Sequence, residues 1–382
     1  MKQNPLITLE KFGQSVWLDF IRRGMISSGE IQRLIEEDGL SGVTVNPTIL
    51  DKAISGSHDY DRSIHALALE NKKAPEIYES LAVEDVQNAA GLFRPVYDRT
   101  QGKDGYVSLE VSPYLAHDTN GTIAEAHRFW SELSRPDVMI KVPATREGLA
   151  AIQQLTAEGI NVNVTLLFGL PRYRQVVEAY ISGLEQRARL GKPLDKVASV
   201  ASFFLSRIDV LLDPRLEKLA QSGGDKADLA KKALGQVAIA SARMSYQIYK
   251  ELFGSERFQK LAAQGAQRQR LLWASTGTKN PAYSDVMYVE ALIGPETVNT
   301  MPLETLEAYR DHGDPAPRLE QNVSEAQGIL SSLSRIGIDL DQATQQLEDE
   351  GVDKFIASYD QLMEVLQGKI ATTLKERVAK AQ

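Results

Sequence analysis

Short runs of apolar and β-branched residues recur along the chain, and each is separated from the next by a segment with helical periodicity. This alternation predicts parallel strands joined by helical crossovers, because a helix returns the chain to the starting end of the next strand. Eight runs have this character: SVWLDF (15–20), GVTVNP (42–47), YVSLEVS (106–112), VMIKVPA (138–144), NVNVTLLF (161–168), VASVASFF (197–204), RLLWAST (270–276) and TVNTM (297–301). Eight is the number of parallel strands that closes a barrel, so the pattern predicts an α/β fold of the (β/α)8 TIM-barrel class.

Helix start and stop signals mark the segments between these runs. GEIQRLIEEDG follows two serines and ends on Gly39, which suits a left-handed cap, and REGLAAIQQLTAEG follows Thr145. The interval between the second and third runs spans about 58 residues and predicts two or three helices. A second insertion follows the sixth run, where residues 225–254 predict one long amphipathic helix.

The barrel pattern stops near residue 314, where the sequence reads DPAP. Two prolines so close together indicate a boundary, since each disfavours a helical residue before it. We therefore expect a catalytic barrel with helical insertions over residues 1–314 and a helical C-terminal extension, packed on the barrel, over 315–382. The extension is highly charged and has no strand pattern, which favours a helical cap or an oligomer contact.

The composition of the chain excludes several classes of protein and of functional site. The 382 residues carry a formal net charge of -8 without a long Lys/Arg run, which argues against a nucleic-acid partner. Cysteine is absent, so disulfides and thiol catalysis are excluded, and the five histidines, His58, His65, His117, His127 and His312, show no short metal-ligand spacing. No signal-peptide pattern precedes Trp17 and no stretch approaches 18 apolar residues, so we expect a cytoplasmic protein with no membrane partner and no metal.

Polar residues lie at or near the C-terminal ends of several predicted strands, or just beyond them, where (β/α)8 enzymes place their active sites. They are Asp19, Thr44, Asn46, Glu110, Lys141, Asn163, Thr165, Ser202, Arg207, Ser275 and Lys279. Taken singly, each has a structural explanation, because Asp and Asn often begin turns, Thr tolerates strands and a lone cation is often a solvated surface charge. Their common position in the fold is what favours a site.

Lys141 carries the sharpest signal, because VMIKVP places one ammonium among apolar residues in a predicted buried strand. Desolvation disfavours the charged form of an amine, and a neutral amine attacks ketones. The alternative is a lysine that snorkels or pairs with a carboxylate. Asp19 and Glu110 could serve as the acid and base that Schiff-base chemistry needs. Asn46, Asn163, Thr165 and Ser202 suit sugar hydroxyls, and Arg207 and Lys279, with Ser275, suit a phosphate.

Three segments, GVTVNPTIL, VMIKVPAT and NVNVTLLF, resemble in order and spacing the second-, fourth- and fifth-strand motifs of the transaldolase family, and the resemblance covers roughly residues 15–310. It implies a Schiff base on Lys141, acid/base catalysis by Asp19, and a water held by Glu110 with Thr165. It further implies that Thr44, Asn46, Asn163 and Ser202 hold the bound ketol and that Arg207 binds phosphate. Some branches of the family carry an arginine soon after the seventh-strand serine, whereas this chain reads ASTGTKNPAYSD there. We therefore assign the phosphate-binding role of that arginine to Lys279.

The resemblance implies transfer of a dihydroxyacetone unit from fructose 6-phosphate or sedoheptulose 7-phosphate to erythrose 4-phosphate or glyceraldehyde 3-phosphate. No cofactor is expected, because the lysine supplies the electron sink. A fructose 6-phosphate aldolase is the nearest alternative. Aldolases of this kind typically carry Gln where this chain has Glu110 and Tyr where it has Phe204. We group Phe204 with the substrate-binding residues. A noncatalytic sugar-phosphate-binding barrel is the alternative from another class. The expected oligomeric state is a monomer or a homodimer.

Overall fold

The computed structural model of the chain describes residues 4–381, and its centre is one parallel sheet closed into a barrel. The eight strands follow one another around the barrel in chain order, and the last pairs with the first. They are β1 (Gln14–Leu18), β2 (Leu40–Val43), β3 (Tyr106–Glu110), β4 (Val138–Pro143), β5 (Val162–Leu167), β6 (Ser199–Phe204), β7 (Arg270–Ala274) and β8 (Thr297–Met301). The predicted (β/α)8 fold class is confirmed, and each predicted strand overlaps an observed one.

Helices connect the strands and surround the barrel. They are α1 (Pro5–Lys11), α2 (Arg23–Ser27), α3 (Glu30–Asp38), α4 (Pro47–Ser55), α5 (Asp61–Leu69), α6 (Ala74–Arg99), α7 (Thr119–Leu133), α8 (Arg146–Glu158), α9 (Leu170–Arg189), α10 (Ser206–Ala220), α11 (Gly224–Ala233), α12 (Val237–Phe253), α13 (Glu256–Ala262), α14 (Met287–Ala291), α15 (Leu303–His312), α16 (Val323–Leu333) and α17 (Leu340–Ala381). Short 3₁₀ turns lie at Pro113–Leu115 and Ser334–Ile336. None of the helices within residues 4–381 combines the length and apolar character needed to cross a bilayer.

The local cap signals are confirmed in part, since the helix after the two serines has Gly29 as its N-cap residue and no side-chain cap, while the signals at Thr145 and Gly39 hold. Thr145 accepts a hydrogen bond from the backbone N–H of Gly148 at 3.0 Å and so begins α8, while Gly39 ends α3 with φ of 69°. The interval between β2 and β3 contains three helices, α4, α5 and α6, in agreement with the prediction.

The single helix predicted over residues 225–254 is wrong, because the segment forms two helices, α11 and α12, with a break at residues 234–236. Gly235 adopts φ of 63° at the break, a left-handed conformation that a continuous helix does not allow. Its N–H donates to Asp213 Oδ1 at 3.0 Å. The side chain on α10 therefore supplies a partner for a backbone group that the broken helix leaves free.

The core lies between the barrel and the surrounding helices and continues into the barrel interior. All residues of β3, β4, β5 and β6 are buried, which explains why these strands read as nearly continuous apolar runs. A polar or charged residue in such a strand must find partners inside the protein, because no water surrounds it. This requirement brings the polar side chains of neighbouring strands together.

Helix α17 lies across the end of the barrel at which the strands terminate. Over its 42 residues it packs against α4, α5 and α6, and it also contacts α10 and the end of β5. Because the carboxyl ends of all eight strands open toward this side, α17 covers part of the barrel mouth.

Candidate active site

Lys141 lies in the middle of the polar residues at the barrel mouth. The parallel register places it beside Glu110 of β3 on one side and Asn163 of β5 on the other. Only 3% of its surface is exposed, and its ammonium nitrogen lies 3.2 Å from Glu110 Oε2 and 3.5 Å from the carbonyl oxygen of Val45. The predicted buried lysine is therefore found, and its partner is the carboxylate on the adjacent strand.

Glu110 is as deeply buried as the lysine, with 4% of its surface exposed. Burial raises the pKa of Glu110 to about 7, although the adjacent Lys141 ammonium acts in the opposite direction. Neither carboxylate oxygen has a further hydrogen-bond partner among the described residues. A carboxyl group with a pKa near neutrality can both give and accept a proton under ordinary conditions.

Asn163 belongs to a buried hydrogen-bond chain beside the lysine. Its amide nitrogen donates to Ser108 Oγ at 3.0 Å, and its amide oxygen accepts from Ser202 Oγ at 2.7 Å. Asn163 is fully buried, whereas Ser202 also borders the cavity. The two serine hydroxyls therefore satisfy both ends of the Asn163 amide and hold the side chain in place.

A second chain of hydrogen bonds orients Asp19, which follows β1 directly. Thr44 donates its hydroxyl hydrogen to Asp19 Oδ1 at 2.6 Å, and the hydroxyls of Thr44 and Thr300 are 2.8 Å apart. Since a hydroxyl has one hydrogen, Thr300 must be the donor to Thr44 when Thr44 donates to Asp19. Burial raises the pKa of Asp19, and Lys141, Thr44 and Arg207 act against that rise.

Asn46 and Thr165 differ in burial, because Asn46 is half-buried and Thr165 is fully buried. Asn46 begins α4 by accepting a hydrogen bond from the backbone N–H of Ile49 at 2.9 Å, which leaves its amide hydrogens directed elsewhere, and the residue lines the cavity. Thr165 is fully buried, and its hydroxyl has no partner among the described residues. It lies in register with Pro143, two positions beyond Lys141.

Arg207 stands in the first turn of α10, and no carboxylate of the described residues forms a salt bridge with it, although buried arginines usually have such a partner. Its guanidinium carbon lies 5.5 Å from the ring centre of Phe204 and 5.9 Å from that of Phe355. Nη1 is buried without a hydrogen-bond partner among residues 4–381, and burial lowers the pKa of the guanidinium. A desolvated guanidinium held between aromatic rings, with a free donor, is suited to a phosphate or carboxylate ligand.

Two serines line the same cavity as Arg207: Ser206, which precedes it in the chain, and Ser275, which follows β7. The hydroxyls of Ser206 and Ser275 are 2.7 Å apart, and Ser275 follows β7 with φ of 54°. A left-handed serine is uncommon and costs backbone energy, a feature often found where a site requires a particular orientation. Lys279 is exposed at the rim of the same cavity.

One cavity of about 620 Å³ collects most of the predicted residues. Of the twelve residues chosen from the sequence, nine line it: Asp19, Thr44, Asn46, Lys141, Ser202, Phe204, Arg207, Ser275 and Lys279. The remaining three, Glu110, Asn163 and Thr165, are buried behind this lining. Reactive groups therefore lie at the inner end of the cavity and cations toward the α10 side and the rim. No group of three or more His, Cys, Asp or Glu side chains placed to hold a metal occurs in the described part of the chain.

A family model for transaldolase/fructose-6-phosphate aldolase matches residues 16–366. The chain belongs to this family. A transaldolase of Trichodesmium erythraeum is 47% identical over 374 residues, which are 97% of this chain and 98% of the relative. Transaldolase 2 of a Nostoc strain is also 47% identical, over 375 residues with the same coverage. A transaldolase of Mycolicibacterium smegmatis is 45% identical over 377 residues, 98% of this chain and all of the relative.

The family membership predicted from three strand motifs is confirmed, and its extent is greater than the sequence motifs indicated. The match continues past residue 310 to residue 366, so most of the C-terminal extension is included. Sequence reasoning also missed cavity residues, among them Ser206, Thr300 and Phe355. The first two could have been found from their positions, next to Arg207 and near the end of β8. No local signal distinguishes Phe355 from any other apolar residue of a long helix.

Proposed function

We propose that this member of the family is a transaldolase, which transfers a dihydroxyacetone unit between sugar phosphates through a Schiff base on Lys141. The observation that carries the proposal is the buried Lys141–Glu110 pair at 3.2 Å, which places an amine beside a carboxyl group of near-neutral pKa at the inner end of the cavity. The names of the related proteins support the same activity. The donor is fructose 6-phosphate or sedoheptulose 7-phosphate, and the acceptor is glyceraldehyde 3-phosphate or erythrose 4-phosphate.

The reaction begins when the neutral amine of Lys141 adds to the keto carbon of the donor. The resulting carbinolamine loses water to give an iminium ion, and this loss requires a proton on the departing oxygen. We assign the proton transfers to a water held by Glu110 and Thr165. Their buried oxygens have hydrogen-bonding capacity that the described protein groups do not use, which supports the assignment.

Carbon–carbon cleavage follows from the iminium ion. Asp19 removes the proton from the donor's C4 hydroxyl, the C3–C4 bond breaks, and its electron pair passes into the iminium to form an enamine while the aldehyde leaves. In the second half, the enamine carbon attacks the carbonyl carbon of the acceptor, whose oxygen takes the proton back from Asp19. Hydrolysis of the new iminium releases the product and restores the amine. The Thr44 and Thr300 hydroxyls hold the Asp19 carboxylate in position for both transfers.

Substrate recognition is divided between the two ends of the cavity. We assign the hydroxyls of the bound ketol to Thr44, Asn46, Asn163 and Ser202, which surround Lys141 with neutral donors and acceptors. The phosphate belongs with Arg207, Ser275 and Lys279. The buried Nη1 of Arg207 has no hydrogen-bond partner in the part of the chain that the structure describes, which supports this division, as does the apolar wall that Phe204 places beside the guanidinium.

A fructose 6-phosphate aldolase would use the same lysine but release free dihydroxyacetone, so one experiment separates the two activities and the noncatalytic alternative. The purified protein is incubated with fructose 6-phosphate, with and without erythrose 4-phosphate. Release of glyceraldehyde 3-phosphate that depends on the acceptor, together with sedoheptulose 7-phosphate, is the expected result. Equal turnover without acceptor would indicate the aldolase, and no turnover would indicate a binding protein.

We also propose the organisation that the sequence suggested, a catalytic barrel over residues 1–314 with an extension over 315–382. We propose a cytoplasmic location and a monomer or homodimer, and we expect no nucleic-acid or membrane partner. The packing of α17 across the barrel mouth supports a role for the extension at the active site itself. Residues 1–3 and 382 lie outside the described residues.

A further inference from the structure

One face of α17 meets the barrel mouth through residues spaced as a helical stripe. Glu348, Gly351, Phe355 and Ser358 follow one another at intervals of three or four residues and so share a face. At one end, Glu348 Oε2 lies 3.0 Å from Nε of Arg172 on α9. At the other end, the hydroxyl of Ser358 is 2.8 Å from that of Thr48, a cavity residue on α4. The helix is therefore fixed on two sides of the opening.

Phe355 stands between these two contacts and enters the cavity lining. Its ring centre is 6.0 Å from the Lys141 ammonium and 5.9 Å from the guanidinium carbon of Arg207, and only 2% of the residue is exposed. Gly351, one turn earlier, permits this close approach, because a Cβ there would lie 3.0 Å from a methyl group of Leu166. The extension thus supplies an apolar wall directly over the reacting amine.

We propose that Phe355 is a specificity-determining residue, which excludes water from the enamine on Lys141 so that the three-carbon unit reaches an aldehyde acceptor and is not released. The inference rests on the proposed transaldolase function and adds a residue from α17 to it. The wall is apolar and offers no proton, whereas the groups around it are charged.

The enamine has two balanced fates. In transfer, its nucleophilic carbon forms a bond with the acceptor aldehyde carbon, and the aldehyde oxygen takes the proton of Asp19. In release, the same carbon takes a proton from a water molecule or from that carboxyl group, and water then hydrolyses the iminium to dihydroxyacetone and the free amine of Lys141. Hydrolysis of an iminium also ends the transfer reaction, so the two fates differ in whether the enamine carbon is protonated first. Protonation by water requires a water molecule at that carbon, and a closed apolar site suppresses this side reaction.

Shortening Phe355 should admit water. A water molecule needs roughly 10–15 Å³ and two to four polar partners, and removal of a phenyl ring exceeds that volume. Lys141, Glu110 and Arg207 would supply the polar partners. The cavity left by a truncation would therefore become hydrated at the position where the enamine must stay dry.

The test measures the ratio of acceptor-independent dihydroxyacetone release to acceptor-dependent transfer, with fructose 6-phosphate as donor, in Phe355→Leu, Phe355→Val and Phe355→Ala. The ratio should rise as the side chain shortens, by about tenfold in Phe355→Ala, and should stay near the wild-type value in Phe355→Leu. Tyr114→Phe is the matched control. It removes the 2.6 Å hydrogen bond to Asp360 on the same helix outside the cavity, so the ratio should not change.

Thermal unfolding verifies that each variant is folded before its ratio is interpreted. An equal ratio in wild type and in all folded Phe355 variants would overturn the proposal, as would an equal rise in Tyr114→Phe. If Phe355→Ala does not fold, the comparison of Val with Leu decides in the same way. Failure of the proposed function would look different, because the wild-type protein itself would then show no acceptor-dependent transfer.

Discussion

Replacement of Lys141 by methionine tests both the chemistry and the electrostatics of the site. Methionine retains an unbranched apolar stem but removes the ammonium that lies 3.2 Å from Glu110 Oε2. The variant cannot form a Schiff base, so transfer should be lost and borohydride should trap no sugar on the protein. The substitution also affects Glu110, because the Lys141 ammonium lowers the pKa of this carboxyl group and so opposes the rise that burial causes.

The size of that consequence follows from the linkage between protonation and stability. Burial raises the pKa of Glu110 from its usual value of 4.5 to about 7, so the folded state binds the proton more tightly than the unfolded state. The free energy of unfolding therefore decreases as pH rises from about 4.5, by up to ~1.4 kcal/mol per pH unit, and the decrease ends near the folded pKa. Without Lys141 the folded pKa rises further, and the decrease should continue from pH 7 to pH 8 at about 1 kcal/mol per unit.

Urea unfolding at pH 6, 7 and 8 measures this effect in wild type, Lys141→Met and the double variant Lys141→Met/Glu110→Gln. The single variant should lose more stability than wild type between pH 7 and 8, and the glutamine in the double variant should remove the difference because it does not titrate. Parallel pH profiles for the single and double variants would refute the argument that Glu110 depends on the lysine. Retained transfer activity in Lys141→Met would refute the Schiff-base assignment.

Three further changes test the remaining parts of the site. Arg207→Ala should raise KM for fructose 6-phosphate about 30-fold, because it removes ~2 kcal/mol of charge-assisted hydrogen bonding to the phosphate. The reaction of unphosphorylated fructose should change little. An unchanged KM for fructose 6-phosphate would show that the arginine does not bind the phosphate. Because only the ionised carboxylate accepts a proton and the pKa of Glu110 is about 7, kcat of the wild type should rise with pH near 7. Glu110→Gln should slow Schiff-base formation and abolish this rise, and a rise that persists in the variant would assign it to another group. Thr300→Val should lower kcat up to about tenfold without changing KM, because Thr44 loses its donor and holds Asp19 less firmly, and a change confined to KM would contradict this positioning role.

Most of the barrel could be predicted from the sequence because a buried parallel strand is a nearly continuous run of apolar residues. The strands β3 to β6 are buried along their whole length, and their apolar runs are correspondingly clear. The errors occur where the decisive contact is not local. The predicted helix over residues 225–254 breaks at Gly235, whose N–H finds its partner in Asp213 on another helix.

The site residues could be chosen for a similar reason. All parallel strands of a barrel end on one side, so polar residues that follow strands collect there without knowledge of their separation. This rule selected Asp19, Thr44 and Ser202, and it would have selected Thr300 had it been applied to β8. It could not select Phe355, because that residue reaches the lysine from a helix more than 200 positions further along the chain.

The sequence by itself determined the number of strands, the lysine in the buried fourth strand and the family to which the chain is similar, since periodicity and short motifs depend on residues that are neighbours in the chain. Only the tertiary structure decided that Glu110 is the partner of Lys141, that Arg207 has no carboxylate partner within residues 4–381 and that Phe355 covers the amine. The physical reason is that pairing, desolvation and closure depend on strand register and helix docking. Those depend on packing between segments far apart in the chain, which no local pattern records.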